Sequence, residues 1–297
     1  MSDDKDKDTT KIEIDEFTGV ETTGHEWDGI KELNNPMPRW WLYSFYLTIV
    51  FAIGYAIAYP SIPLIKTSTK GLLEWSSRKD VATELASAKA AQSELWAQLN
   101  EIEVSDIVAN DELLRFSIAG GNASYKINCV QCHGSGAQGS AGYPNLNDDD
   151  WIWGGSVDDI LLTINHGIRY DEDDDTRLSD MPAYGADGIL EHAQISDVAW
   201  FIRQMSNQEF DHEAALRGAE IYGENCAVCH GDAGKGNREL GAPNLSDALW
   251  LYGGEYAQIV NQITKPQQGV MPAWGARLGP ATSKQLAVYI HNLGGGE

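Results

Sequence analysis

The feature that most limits what this chain can fold into is a repeat. Gly121-x3-Tyr125-x3-Cys129-x2-Cys132-His133-Gly134 returns 97 residues later as Gly218-x3-Tyr222-x3-Cys226-x2-Cys229-His230-Gly231. Downstream the offset is 99: Pro144-Asn145-Leu146 matches Pro243-Asn244-Leu245, Trp151 matches Trp250, and Gly154-Gly155 matches Gly253-Gly254. Met181-Pro182-Ala183-Tyr184-Gly185 matches Met271-Pro272-Ala273-Trp274-Gly275 at offset 90, and each copy ends in an apolar helical stretch, Val198–Ile202 or Leu286–Ile290. The chain therefore contains two copies of one small helical domain.

Cys-x-x-Cys-His has a definite chemical use: two thiols form thioether bonds to a haem while the adjacent imidazole binds its iron. The two matches consume all 4 cysteines of the chain. The competing uses are a zinc site built from both Cys pairs and a redox dithiol. Zinc has no need of His133 and His230, would have to gather pairs 97 residues apart, and leaves the methionine repeat unexplained. The expected cofactor is two covalently bound haems c, attached through Cys129, Cys132, Cys226 and Cys229, with His133 and His230 on iron.

An electron-carrying haem is best served by a soft, neutral sixth ligand that fills the coordination sphere and raises the potential. The chain has 5 methionines. Met1 is the start, Met37 precedes the apolar segment, and Met205 stands where the second copy has Leu293, a packing position. Met181 and Met271 remain, one per copy; which of them serves which haem stays open at this level. His166 aligns with Lys265, and His25, His192, His212 and His291 have no repeat counterpart, so these histidines are expected at the surface or in packing. Gly121 and Gly218 share a helix face with Tyr125 and Tyr222, and are expected to let the terminal helix of the same copy cross closely.

Between Trp40 and Ile65 no residue is charged. Trp40–Tyr59 is long enough for one span at about 1.5 Å per residue across about 30 Å of hydrocarbon. Interfacial aromatics mark its ends (Trp40, Trp41, Tyr43; Tyr55, Tyr59), and Pro60 and Pro63 close it. A cleaved signal peptide fits poorly, because 39 residues with 11 acidic and 5 basic side chains precede the segment. The 20 residues before the span hold two basic side chains, Lys31 and Arg39. The 20 after Ile65 hold four, Lys66, Lys70, Arg78 and Lys79, a bias that by itself puts the C-terminal part inside. From Lys70 to about Glu103 an Ala-, Glu-, Lys- and Gln-rich composition reads as one or two surface helices forming a spacer.

A formal charge of −23 excludes nucleic-acid binding on electrostatic grounds. Acidic runs occur at Asp148–Asp150 and Asp171–Asp175, the second inside copy one where copy two is shorter. An EF-hand is excluded, since Thr176 stands where glycine is needed and no glutamate follows at the twelfth position. A solvated loop is the default, and docking of a basic partner the functional alternative, given 16 basic and 33 acidic residues after position 65.

His25-Glu26-Trp27-Asp28-Gly29-Ile30, followed by Asn35-Pro36-Met37-Pro38-Arg39-Trp40-Trp41, is similar to the stretch before the membrane helix in the dihaem subunit of cbb3-type cytochrome c oxidases, the CcoP/FixP family. With the paired haem motifs, the resemblance covers nearly the whole chain, in the form with one membrane span. It implies an all-α fold: one N-terminal transmembrane helix, a helical spacer and two tandem class-I-like cytochrome c domains. The segments are a cytoplasmic 1–39, an anchor 40–65, a spacer 66–109, and domains 110–206 and 212–297. The matching site positions are Cys129, Cys132, His133, Met181, Cys226, Cys229, His230 and Met271.

The family's role implies electron transfer in the respiratory chain, from a soluble or membrane cytochrome c or a bc1 complex, through both haems, towards the oxygen-reducing subunit. Implied partners are the catalytic haem b/copper subunit, the monohaem cytochrome c subunit and membrane lipid. The subunit itself would be non-catalytic, in a bacterial inner membrane, with its haem domains periplasmic because covalent haem attachment takes place there. That orientation opposes the basic-residue bias, and the attachment chemistry carries more weight than a four-to-two difference. The rivals are a free-standing membrane-tethered dihaem shuttle and a dihaem peroxidase; the second needs a displaceable ligand, against which the two methionine segments argue.

Overall fold

The structure, a computed structural model, describes residues 11–296; the start of the 1–39 segment and the last residue of the 212–297 domain lie outside the described residues. The chain divides into one unit ending at Lys89 and a second beginning at Ala90.

The chain is mostly helical, as expected, and its first unit adds one short hairpin. Strands β1 (Thr22–Trp27) and β2 (Ile30–Leu33) pair antiparallel, with Trp27 opposite Ile30. Asp28 (φ 50°) and Gly29 (φ 84°) make the turn, and two successive positive φ angles match the right-handed strand twist that a two-residue hairpin needs. The Asp-Gly pair was the sequence signal for it.

Helix α1 (Arg39–Ala58) buries no side chain in the protein and is apolar on every face. Its 20 residues reach about 30 Å, enough to cross a bilayer. Within it the Ser44 and Thr48 hydroxyls donate to the carbonyls of Trp40 and Phe45, so neither faces hydrocarbon unpaired. The helix stops seven residues short of the expected anchor boundary at 65, because Pro60 has no N–H to continue the ladder.

Helix α2 (Ser77–Ala91) buries nothing, as a spacer would. Helices α3 (Ser93–Glu101) and α4 (Val104–Val108) behave otherwise: Leu99, Val104 and Ile107 are at most 1 % exposed. The second half of the expected spacer is thus core. Lys284 ties it down by donating from Nζ to the carbonyls of Leu99 (3.0 Å) and Ile102 (2.6 Å), which cancels exposed acceptors at the end of α3.

The repeats supply α5 (Asp111–Asn128), α6 (Val130–His133), α7 (Val157–His166) and α8 (His192–Met205), then α9 (His212–Asn225), α10 (Ala227–His230), α11 (Tyr256–Thr264), α12 (Gly275–Leu278) and α13 (Pro280–His291). The starts of α5, α7, α8, α9 and α11 are capped. Asn110 accepts from the Glu112 and Leu113 amides, Ser156 from Asp159, and Asp211 from Ala214, while Glu191/Gln194 and Glu255/Gln258 form capping boxes.

The terminal helices α8 and α13 do not pack on the haem-motif helices of their own repeats. Helix α8 lies on α9, and α13 lies on α5 and α7. A Cβ at Gly218 would overlap the Asp197 carbonyl of α8, and one at Gly121 would overlap the Gln285 carbonyl of α13. Each glycine does admit a terminal helix, but that of the other copy, correcting the expected pairing. The cause is local: six residues, 206–211, separate α8 from α9, a link short enough to make the two an antiparallel hairpin. With α8 so placed, the position against α5 is left for α13.

Two cores follow. One joins Leu113, Tyr125, Ile160 and Ile164 to Leu286, Val288 and Ile290 with α3 and α4. The other joins Ile195, Val198 and Ala199 to Tyr222, Ile259 and Ile263. A division at 206/212 therefore runs through the second core, whose elements, Met181 to Thr264, are inserted within the first.

Candidate haem-attachment sites

At the end of α5 the backbone bends at Cys129 and makes one further turn, α6, closed by Cys132 N–H (3.2 Å) and His133 N–H (3.0 Å) donating to the Cys129 carbonyl. Spacing of three and four residues sets both thiols and the imidazole on one side of that turn. Gly134 (φ 82°) ends it, and the buried Tyr125 hydroxyl donates to the Gly134 carbonyl at 2.8 Å. The second copy repeats each detail: Cys229 and His230 amides to Cys226, Gly231 at φ 76°, and Tyr222 to the Gly231 carbonyl at 2.8 Å. These bonds explain the Tyr and Gly of the repeat, whose roles spacing alone did not reveal.

The Pro-Asn-Leu segment also finds its purpose. His133 Nδ1 lies 3.1 Å from the Pro144 carbonyl, and His230 Nδ1 lies 3.0 Å from the Pro243 carbonyl. A carbonyl only accepts, so Nδ1 carries the proton and Nε2 keeps its lone pair for a metal. Burial pushes both imidazoles below their ordinary pKa and so keeps them neutral.

The thiols are unlike those of a redox pair. Burial raises Cys129 and Cys226 to about 11, whereas an exchanging dithiol has a lowered pKa. Among the described residues the two Cys pairs lie in separate cores and share no metal-sized cluster with one another, which removes the zinc alternative.

Met271 packs against the core that holds Cys129, and Met181 against the core that holds Cys226. The methionine segments have crossed over with their terminal helices. Met271 exchanges backbone bonds with Ile168 (2.9 and 3.0 Å), and Trp274 N–H donates to Ile164 at 2.9 Å. Met181 lies on the other side of the repeat: its carbonyl accepts from Gln268 Nε2 at 3.2 Å, Ala186 N–H donates to Thr264 at 2.9 Å, and the Tyr184 hydroxyl reaches the Asn225 carbonyl at 2.7 Å. Met205 packs in the second core, as expected.

Among the described residues the buried indole N–H of Trp250 has no acceptor, while its repeat partner Trp151 donates to the Gly295 carbonyl. An unpaired donor on a side chain packed against the core that holds Cys226 suits an acidic group such as a haem propionate. With the neutral imidazoles, paired thiols and thioethers, the donor set fits haem c. The acidic insert is a mostly exposed loop, as expected, and only Asp173 turns inward, 3.1 Å from His166 Nδ1. His25 is exposed near Glu32, and His192, His212 and His291 lie at helix ends.

Comparison with known proteins identifies the family. Residues 19–66 match the N-terminal domain of cytochrome oxidase-cbb3, FixP; residues 118–206 match cytochrome c; residues 213–290 match cytochrome c oxidase, cbb3-type, subunit III. The cbb3-type cytochrome c oxidase subunit FixP of Rhizobium meliloti (strain 1021) is 52% identical over 284 residues, covering 96% of this chain and 98% of the relative. Subunit CcoP of Cereibacter sphaeroides is 51% identical over 276 residues, covering 93% and 95%. FixP of Bradyrhizobium diazoefficiens is 49% identical over 293 residues, covering 97% and 100%. A membrane-length helix, two Cys-x-x-Cys-His turns and near full-length identity of about one half together mean that the chain belongs to the FixP/CcoP family of cbb3-type cytochrome c oxidase subunits.

Proposed function

We propose that the chain holds two haems c in which the sixth ligands are exchanged between repeats, His133 with Met271 and His230 with Met181, and that it is the non-catalytic electron-entry subunit of its oxidase. The carrying observation is the position of each methionine in the core of the other copy's Cys-x-x-Cys-His. When bound, haem c supplies a one-electron ferrous/ferric couple. The chain's own residues do the rest. Pro144 and Pro243 hold the imidazoles in the tautomer that presents Nε2. The two cores exclude water, and thioether sulfur favours the reduced state, raising the potential. Filled coordination at both irons leaves no place for oxygen or peroxide, which favours a carrier over a peroxidase.

The loops following the two histidines touch each other. Gly142 N–H donates to Leu251 at 2.8 Å, Gly142 backs on the Tyr252 ring, and Gly241 backs on Trp153. Because these pairs are related by the repeat offset of 99, the two sites meet about a local pseudo-two-fold, suited to electron passage between them. The acidic excess after residue 65 favours a basic donor such as a cytochrome c, and partners on the exit side are the other oxidase subunits. Covalent haem attachment favours a periplasmic site for residues beyond α1, with the N-terminal hairpin inside.

Met271→Ala and Met181→Ala test the exchange when each is combined with His133→Ala or His230→Ala. If the ligands are exchanged, Met271→Ala with His133→Ala perturbs one haem and spares the spectrum of the other, whereas Met271→Ala with His230→Ala perturbs both. The reverse pattern would return each methionine to its own repeat.

A further inference from the structure

One side chain lies between the two methionine segments and belongs to neither. Arg169 follows α7 in the left-handed region (φ 51°), where a residue with a side chain is seldom found unless its surroundings hold it. Its guanidinium donates from Nε to the Gly269 carbonyl at 2.8 Å and from Nη1 to the Ser179 carbonyl at 3.1 Å. Gly269 and Ser179 are equivalent by the repeat offset of 90: each stands two residues before its methionine, Met271 or Met181. One planar fork therefore bonds the same carbonyl in both copies, the geometry of a group sitting on the pseudo-two-fold.

The repeat counterpart of Arg169 at offset 99 is Gln268, and it does half as much. Gln268 Nε2 donates to the Met181 carbonyl at 3.2 Å, supporting that segment from the other side. Two cations cannot share one axis without repulsion, so an arginine in one copy and a neutral amide in the other is the arrangement a shared central position requires. Arg169 is itself positioned by its amide, which donates to the Arg177 carbonyl at 2.9 Å and ties the acidic insert to the same strand.

We propose that Arg169 is a positioning residue common to both axial methionines, holding the two segments in register with the two iron sites and placing one fixed positive charge beside both. A cation there disfavours the ferric state at each iron, so its removal lowers both potentials together. This inference rests on the exchanged-ligand reading, since the clamp acts through Met181 and Met271.

The test uses the full-length chain with haems attached, in its complex in mild detergent. Each haem is followed in a potentiometric titration, and the weak near-infrared band of a sulfur-to-ferric-iron bond reports methionine ligation. Arg169→Gln is expected to lower both potentials, with at least a tenfold change in the ferrous-to-ferric ratio at fixed poise, about 59 mV for a one-electron couple, and to weaken the band at both irons. Arg169→Lys keeps the charge but loses the fork, so both potentials fall by less while the band still weakens. Gln268→Ala is expected to disturb only the haem served by Met181. A shift at one haem alone, or at neither, in Arg169→Gln overturns the proposal, and if that variant does not assemble, Arg169→Lys decides on the same criterion. If Met181→Ala and Met271→Ala leave the band intact, the ligand assignment itself fails. If each removes the band of one haem while Arg169→Gln changes nothing, the shared clamp alone fails.

Discussion

Gly218→Ala gives a quantitative check on the helix exchange, because the same helix contains its own control. At Gly218 a methyl group would meet the Asp197 carbonyl and the Val198 amide of α8, all of it backbone that cannot rotate aside. Overpacking of this kind costs about 1–3 kcal/mol, and rigid backbone on both sides places it at the upper end. Alanine returns about 0.5–1 kcal/mol of helix propensity, leaving a net loss of about 2 kcal/mol. Gly223, five residues on in α9, has nothing within 4 Å of an added Cβ, so Gly223→Ala is expected to stabilise by the propensity gain alone. With a urea slope of about 1–2 kcal/mol per molar for a core of this size, Gly218→Ala should lower the unfolding midpoint of the Met181 core by about 1–2 M. The midpoint is read from loss of methionine ligation at the His230 haem in detergent-solubilised protein, with the His133 haem as internal reference. Equal midpoints for Gly218→Ala and Gly223→Ala would refute the close crossing, and loss first at the His133 haem would refute the exchange.

Lys284→Ala should cost about 1.5–3 kcal/mol, the range for charge-assisted hydrogen bonds, because it strips the carbonyls of Leu99 and Ile102 of their donor; it should also speed proteolysis within α3 and α4, measured by mass spectrometry of the fragments. Burial, then the neighbouring Asp247, pushes the Asp150 carboxyl up to about 6 from an ordinary 3.8. The folded state thus binds this proton more tightly than the unfolded one, so the group's contribution to stability falls as pH rises from about 4 through 6. Asp150→Asn should flatten stability against pH across that window and raise it at pH 7, as followed by urea midpoints.

Much of the chemistry was legible because it is short-range. Cys129, Cys132 and His133 share one turn of helix, and so do Cys226, Cys229 and His230, so spacing alone brings them together. The apolar run that became α1 was equally plain, and so was its end, since Pro60 follows the last capping residue, Tyr59. The hairpin at Asp28-Gly29 went unpredicted because an extended run of four to six residues with mixed polarity carries little periodicity beside the helical signals around it. The spacer was half wrong for a related reason. Leu99, Val104 and Ile107 are too few and too near helix ends to show a pattern, yet a neighbouring helix buries them almost completely.

What the order of residues marked by itself was the pair of Cys-x-x-Cys-His turns, the number of copies and one helix long and apolar enough to span a bilayer, all properties of contiguous segments. The partner of each segment was another matter. Two copies of one domain present nearly equivalent surfaces, so α5 could accept α8 or α13 on grounds of composition, and Met181 or Met271 could approach either imidazole. The short link between α8 and α9 broke that tie by making them neighbours. Once Gly218 had closed on Asp197, the remaining helix and methionine had one place left, and Arg169 came to lie where both copies meet.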